Sequence, residues 1–248
     1  MAKVAVVTGA SRGIGAATAT LMAARGWDVC IGYRTDGESA ERVADACRAA
    51  GQRACAVAAD VSQDADVVKL FAAADASLGQ LGALVNAAGI VDRKARVDEM
   101  TVGRLERMFA VNVIGSFLCA REAVRRMSTN HGGDGGTIVN LSSAASRLGS
   151  PGEYVDYAAS KGAIDTMTVG LAREVADEGI RVNAVRPGLI NTEIHASGGQ
   201  PDRVRRLSPA IPMQRGGEAA EVAFAIMWLC SDEASYVTGA LLDVSGGR

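Results

Sequence analysis

The sequence predicts an α/β fold, a doubly wound parallel sheet of seven strands with helices on both faces. Three observations support it. Short apolar runs of strand length alternate with amphipathic stretches of helical period along all 248 residues. A glycine-rich turn, Gly9-Ala10-Ser11-Arg12-Gly13-Ile14-Gly15, follows the first apolar run at once. No linker, repeat or low-complexity segment breaks the alternation, so 1–248 reads as one domain.

Composition narrows the function classes. Hydrophobic content of 48% with 22% charged residues describes a globular chain with a sizeable core. A net charge of −2 offers no basic surface for nucleic acid or membrane. No apolar run approaches the roughly 18 residues of a membrane span, and no signal peptide precedes the first strand. The cysteines, at 30, 47, 55, 119 and 230, are odd in number and contain no Cys-x-x-Cys pair. That pattern predicts reduced thiols in a cytoplasmic protein, not a disulfide framework or a zinc site. With only His131 and His195, a metal site of several histidines is excluded, and a Ser–His–Asp triad has little to rest on.

The first half reads as a phosphate cradle. Residues 3–8 form a strand buried on both faces, and residues 14–25 a helix. The turn between them brings backbone N–H groups and the positive end of the helix dipole to one point. Its glycines keep side chains away from a pyrophosphate. Gly9, Ser11, Arg12, Gly13, Ile14 and Gly15 are therefore candidate cofactor contacts. The second strand, 28–33, runs out into Arg34-Thr35-Asp36. An acidic residue at this place binds a ribose 2′-hydroxyl, whereas arginine accommodates a 2′-phosphate. Arg34 comes first and Arg12 lies in the preceding loop, so two guanidiniums can clamp the phosphate. This favours NADP; with both arginines solvated, Asp36 would take the ribose of NAD. A helix spans 38–50 and a third strand 53–58. After it come Asp60 and Val61, where Asp60 is either an adenine contact or a helix cap. A helix over 64–78 leads to a fourth strand, 83–85, and to Asn86-Ala87-Ala88-Gly89, small residues that let a ligand approach.

The second half carries the chemistry. Residues 101–127 predict one long helix with Asn112 in its apolar stripe; a buried Asn needs partners. Strand five, 137–141, delivers Ser142-Ser143 at its carboxyl end. A helix from about 152 to 177 bears Tyr157 and Lys161, four apart and so on one face. A cation beside a phenol favours phenolate and is expected to lower the Tyr157 pKa. A Tyr tuned in this way can give a proton to a forming alkoxide or take one from an alcohol. Tyr154 has Ala158 at the matching place and no such partner. Strand six, 181–185, ends in Arg186-Pro187-Gly188-Leu189-Ile190-Asn191-Thr192. Residues 193–216, with Arg203, Arg205 and Arg206, form a candidate substrate lid. A last helix, 218–230, and a seventh strand, 240–244, close the pattern.

Taken together, Thr8-Gly9-Ala10-Ser11-Arg12-Gly13-Ile14-Gly15, Asn86-Ala87-Ala88-Gly89, Asn112, Ser143, Tyr157-x-x-x-Lys161 and Pro187-Gly188 resemble the short-chain dehydrogenase/reductase family over essentially the whole chain. The resemblance implies a Rossmann-type domain, a nicotinamide cofactor and a homotetramer or homodimer. It implies Tyr157 as acid/base, Lys161 holding the nicotinamide ribose, Ser143 bonding the substrate oxygen and Asn112 holding a water in a proton relay. It also implies cofactor contacts from Asn86, Ala87, Gly89, Tyr157, Lys161, Pro187, Gly188, Ile190 and Thr192, the last to the carboxamide. The choice of Ser143 over Ser142 rests on that alignment. Two departures stand out. The family often ends Val-Asp-Gly-Gly, where this chain has Val244-Ser245-Gly246-Gly247. Members acting on acidic acyl carrier protein present basic residues where this chain has Asp134 and Asp177-Glu178, which would repel such a partner.

The leading expectation is an NADP(H)-dependent oxidoreductase of a secondary alcohol or ketone, with a sugar dehydrogenase or 3-oxoacyl reductase as narrower forms. A non-catalytic NADP sensor on the same fold would not need both Tyr157 and Lys161. A methyltransferase predicts an acidic residue where Arg34 stands, and gives Tyr157 and Lys161 no role.

Overall fold

The computed structural model describes residues 3–248. In chain order the elements are β1 (Lys3–Thr8), α1 (Gly13–Ala24), β2 (Trp27–Tyr33), α2 (Gly37–Ala49), β3 (Ala54–Ala58), α3 (Asp64–Leu78) and β4 (Leu81–Asn86). Then follow α4 (Val102–Phe109), α5 (Gly115–Met127), β5 (Gly136–Leu141), α6 (Ala145–Leu148), α7 (Val155–Glu174) and β6 (Ile180–Pro187). The chain continues through β7 (Ile190–Asn191), α8 (Ile194–Ser197), α9 (Arg203–Leu207), β8 (Gly217–Glu218), α10 (Ala219–Cys230) and β9 (Leu241–Val244). Seven strands form one parallel sheet in the order β3-β2-β1-β4-β5-β6-β9, as the alternation predicts.

Alternation of side chains along each strand builds a core on both sides. From β1, Val4 and Val6 pack with Leu70 and Phe71 of α3 and Ile164 of α7. Ala5 and Val7 point the other way, to Met22 of α1 and Ile226 of α10. Both faces are covered, so the strands read as unbroken apolar runs. The strand order reverses between β1 and β4. A doubly wound sheet opens a crevice at such a point, outside the carboxyl ends of its strands. The Thr8 hydroxyl ties the two strands there, accepting from the N–H groups of Ala87 and Ala88 at 3.1 Å each.

Two expectations are corrected. The helix over 101–127 is interrupted: Ala110–Ile114 is a π-helical stretch, and the Gly115 N–H bonds the Ala110 carbonyl five residues back. The stripe of apolar residues continues through it, which is why periodicity missed it. The helix over 152–177 is shorter, because Ser150 and Gly152 are left-handed (φ +47° and +70°) and no helix passes through them. The 193–216 stretch is structured by α8, α9 and a 3₁₀ turn at Ser208–Ala210. The parallel pair β7–β8 flanks it; two-residue strands leave no periodic signal. No described helix is long and apolar enough to cross a membrane.

Gly9 shows what the tight turn demands. It is left-handed (φ +63°), and a Cβ there would lie 2.7 Å from Ala88 Cα. Gly15 is similar, its Cβ falling 2.5 Å from the Gly9 carbonyl oxygen. These glycines are required by the protein's own backbone, beyond any room they leave for a ligand. Gly26 is also left-handed (φ +85°) but has nothing within 4 Å. Gly26→Ala is therefore expected to cost only the left-handed penalty, about 1–2 kcal/mol. Gly9→Ala must also move the loop after β4, and calorimetry is expected to show at least twice the loss in Tm. Equal losses would mean that close approach is not what requires glycine at position 9.

Candidate active site

Tyr157 and Lys161 lie one turn apart on α7, at the carboxyl end of β5. The Lys161 Nζ stands 5.6 Å from the Tyr157 ring centroid. Lys161 is 5% exposed, and its ammonium donates to the Leu141 carbonyl at 2.6 Å. The neighbouring Asp156 anchors the helix. Its buried carboxylate takes Arg104 Nε at 2.8 Å and Nη2 at 3.2 Å, while Arg104 Nη1 donates to the Arg93 carbonyl. One bidentate pair thus joins α4, the loop after β4 and the first turn of α7.

The Ser-Ser pair divides its work. Ser142 is buried, and its hydroxyl donates to the Lys161 carbonyl at 3.2 Å. Ser143 instead lines the cavity that Tyr157 faces.

The electrostatics correct one expectation. Burial is the largest influence on Tyr157 and raises its pKa above the ordinary phenol value; the Ser143 hydroxyl pulls the other way. Burial also lowers Lys161, to about 8, with Asp165 opposing the shift. Each group resists becoming charged in the same poorly solvated corner, so the ammonium does not by itself lower the phenol.

Asn112 and Asn86 are held inside the structure. The Asn112 amide donates to the Ile90 carbonyl at 3.0 Å and the Ser160 hydroxyl at 3.1 Å. Its oxygen accepts from the Ile90 N–H at 2.8 Å. The side chain is thus a clamp between the loop after β4 and α7, while the backbone carbonyl accepts the Ser116 hydroxyl at 3.0 Å. The Asn86 amide donates to Asn140 at 3.0 Å and the Ser116 carbonyl at 3.3 Å, so its side chain is occupied inside the core.

A second cleft adjoins the first. Gly9, Ser11, Arg12, Tyr33, Arg34, Asp60, Val61, Ala87 and Gly89 all line it. Helix α1 opens onto it without a side-chain cap and without an acidic residue in its first turn. Such an uncapped, positive helix end fits a pyrophosphate. Asp36 also lines the cleft; it caps α2, its Oδ1 accepting from the Ser39 N–H at 3.0 Å, and the Ser39 bonds hold its carboxyl below the usual range. Asp60 is likewise a turn cap, taking the N–H and hydroxyl of Ser62, although it still borders the cleft. Ile14, Pro187, Gly188, Ile190 and Thr192 line the Tyr157 cavity. Gly13 faces Thr192, whose Cβ a side chain there would approach to 3.5 Å. The two clefts therefore meet at the Gly-rich turn.

The chain matches the family model described as "Enoyl-(Acyl carrier protein) reductase" over residues 9–248. It is 56% identical over 245 residues to the uncharacterized oxidoreductase YgfF of Escherichia coli, covering 99% of each chain. It is 43% identical to a cis-4-hydroxycyclohexanecarboxylate dehydrogenase of Sinomonas cyclohexanicum, covering 99% of this chain and 96% of that one. A crystal structure of a 3-ketoacyl-(acyl-carrier-protein) reductase from Brucella melitensis with NADH superposes at a TM-score of 0.92. It shares 35% identity and covers 99% and 98% of the two chains. The protein belongs to the short-chain dehydrogenase/reductase family. As such it is an oxidoreductase that acts on CH–OH groups and binds a nicotinamide cofactor.

Other features of this short-chain dehydrogenase/reductase escaped the sequence. Arg104 and Asp156 lie 52 residues apart, so spacing could not pair them. Tyr154, set aside for want of a lysine, lines the reaction cavity beside His195 and Arg203. Asp134, Asp177 and Glu178 sit at the amino ends of β5 and β6, the edge opposite the cleft. Within one chain they do not flank the cavity mouth, so their charge gives no argument there against an acidic partner. Ser245 packs against the turn at Gly188, where a Cβ would meet its Cα at 2.8 Å.

The depressed Lys161 pKa links folding to pH. Below about 8 the lysine is protonated in both states and the fold bears the burial penalty. Between about 8 and the unfolded value of 10.5 the unfolded chain holds more protons, so stability rises with pH. Relative to Lys161→Met, wild type is expected to gain on the order of 2–3 kcal/mol across that interval, read from urea unfolding. A pH-independent difference would show that the lysine titrates as freely folded as unfolded.

Proposed function

We propose that the protein is an NADP(H)-dependent oxidoreductase that interconverts a small ketone and a secondary alcohol, with Tyr157 as acid/base. The observation that carries this reading is the convergence of Ser143, Tyr157 and buried Lys161 beside a phosphate-ready helix end. The nicotinamide supplies the hydride chemistry when bound. Tyr157 gives its proton to the developing alkoxide oxygen, or removes it in the reverse direction. Ser143 donates to the same oxygen and orients it. Lys161 keeps two of its three N–H donors beyond the Leu141 bond, for the ribose hydroxyls. The backbone carbonyl of Asn112 holds the relay water. Relatives named as glucose 1-dehydrogenase and 3β-hydroxysteroid dehydrogenase support secondary-alcohol chemistry.

Arg34 and Arg12 on the cleft, with Asp36 engaged as a helix cap, support a 2′-phosphate and so NADP over NAD. Exposed apolar residues on α4, the π stretch and α5 (Val102, Leu105, Ile114, Phe117), and near the carboxyl end (Phe224, Trp228, Tyr236), support a homo-oligomer. The reduced cysteines suit the cytoplasm. A 3-oxoacyl reductase is the second reading, favoured by the Brucella neighbour's name. The intact Tyr157, Lys161 and Ser143 set weigh against a non-catalytic sensor.

Titration of NADPH against NADH is expected to show a strong NADPH preference that Arg34→Ala reduces at least tenfold, as the loss of one charged phosphate contact requires. Equal binding of the two, or an NADH preference unaffected by the substitution, would sink the clamp, hand the ribose to Asp36 and make NAD the cofactor. Tyr157→Phe is expected to lower kcat for ketone reduction by about 10²–10⁴, the share of a positioned proton donor. In wild type, reduction needs the phenol and the ammonium both protonated. The rate is therefore expected to be flat at neutral pH and to fall as Lys161 titrates near 8. A Phe variant with wild-type kcat would remove Tyr157 from the chemistry.

A further inference from the structure

The cavity before Tyr157 has a second polar pole. Ser143 and Tyr157 mark its reacting end, and most of the remaining wall is apolar, including Leu148 and Ile194. The charged side chains on that wall are both arginines, Arg203 and Arg248, and no carboxylate side chain lines it.

Arg203, in the first turn of α9, is only 8% exposed. Its Nη2 donates to Glu153 Oε2 at 2.6 Å, and its guanidinium lies over the Tyr154 ring with Cζ 5.1 Å from the centroid. The group is therefore fixed on two sides. Its Nη1 is buried and has no partner among the described residues. A buried guanidinium N–H without an acceptor is costly, and such a group in a native structure calls for an explanation. Glu153 is not that acceptor. Its other oxygen lies 3.9 Å from Lys94 Nζ, so two cations share one carboxylate and the cluster keeps an excess positive charge. His195 beside it is no anion. Its Nε2 meets the Ile190 carbonyl at 3.1 Å and so must donate there, and burial and Arg203 hold the ring neutral.

Resting on the oxidoreductase reading above, we propose that Arg203 receives a carboxylate of the substrate, so that the enzyme acts on a small oxo or hydroxy acid whose carboxylate is remote from the reacting carbon. A carboxylate suits a single free guanidinium nitrogen in an apolar surround.

The test compares 4-oxocyclohexanecarboxylate and 4-oxopentanoate with their methyl esters, in steady-state reduction by the cofactor-saturated enzyme. Wild type is expected to prefer each acid through KM, with kcat similar for acid and ester. Arg203→Met should reduce the acid-over-ester preference about 10- to 100-fold, the range for a charge-assisted hydrogen bond. Arg203→Lys should restore part of it. Because a ratio is read, partial loss of folded protein leaves the result intact. Calorimetric titration with cyclohexanecarboxylate, which has no carbonyl to reduce, supplies a readout independent of turnover. Arg203-dependent binding without turnover of any ketone would keep the carboxylate site and reject the oxidoreductase reading. Turnover with equal preference for acid and ester, and no Arg203-dependent binding, would overturn the proposal and leave that reading standing.

Discussion

A buried ammonium governs the architecture of this site. Lys161 sits where water barely reaches, and a cation there is tolerated only with a fixed acceptor. The acceptor is the carbonyl of Leu141, the last residue of β5, at 2.6 Å. That bond sets where α7 crosses the sheet, and Ser142 reinforces it by donating to the Lys161 carbonyl. Asp156 and Arg104 fix the helix's first turn, and Asn112 clamps its Ser160 from the other side. The Tyr157 phenol is thus placed by bonds that do not touch it. The same enclosure raises the phenol and lowers the ammonium. At neutral pH this leaves a protonated phenol beside a protonated amine, the state suited to giving a proton.

Much of this was legible in the sequence because much of it is local or periodic. The strands could be read since both faces are buried, and the Tyr157–Lys161 register since four residues make one helical turn. The Gly-rich turn could be read as a phosphate cradle, but the obstacle at Gly9 and Gly15 is the protein's own backbone. What resisted reading was long-range or aperiodic. The π stretch at Ala110–Ile114 keeps an apolar stripe and looks like ordinary helix. The Asn86–Asn140–Thr168 chain of hydrogen bonds joins residues from β4, β5 and α7, and no spacing announces it. The direction of the Tyr157 shift depends on enclosure, which pairwise charge reasoning leaves out.

The two clefts differ in how they are built. The nucleotide side is made of backbone: a helix end, glycines, and the turn after β4. Its side-chain discrimination reduces to which of Arg34 and Asp36 is free. Asp36 is drawn into capping α2, and a carboxylate that already accepts from Ser39 has less to offer a ribose. A local helix cap, three residues beyond the end of the strand, therefore takes up one oxygen of the acidic residue that borders the cleft beside Arg34.

The 193–216 stretch lines the Tyr157 cavity through Ile194, His195 and Arg203, and it is held differently from the rest. Of its hydrophobic residues only Ile211 is buried. Its attachments are mostly polar: Arg203 to Glu153, Gln200 to Tyr154, Arg12 to Ser197, and the Met213 N–H to the Gly246 carbonyl at 3.1 Å. Exposed polar ties contribute little each. The buried exceptions are Arg203 and Tyr154, which meet half-buried Glu153 at the start of α7. The strongest tie of the stretch is thus made by the same guanidinium that faces the cavity. An acceptor that completes its Nη1 would also strengthen the attachment of the segment above it.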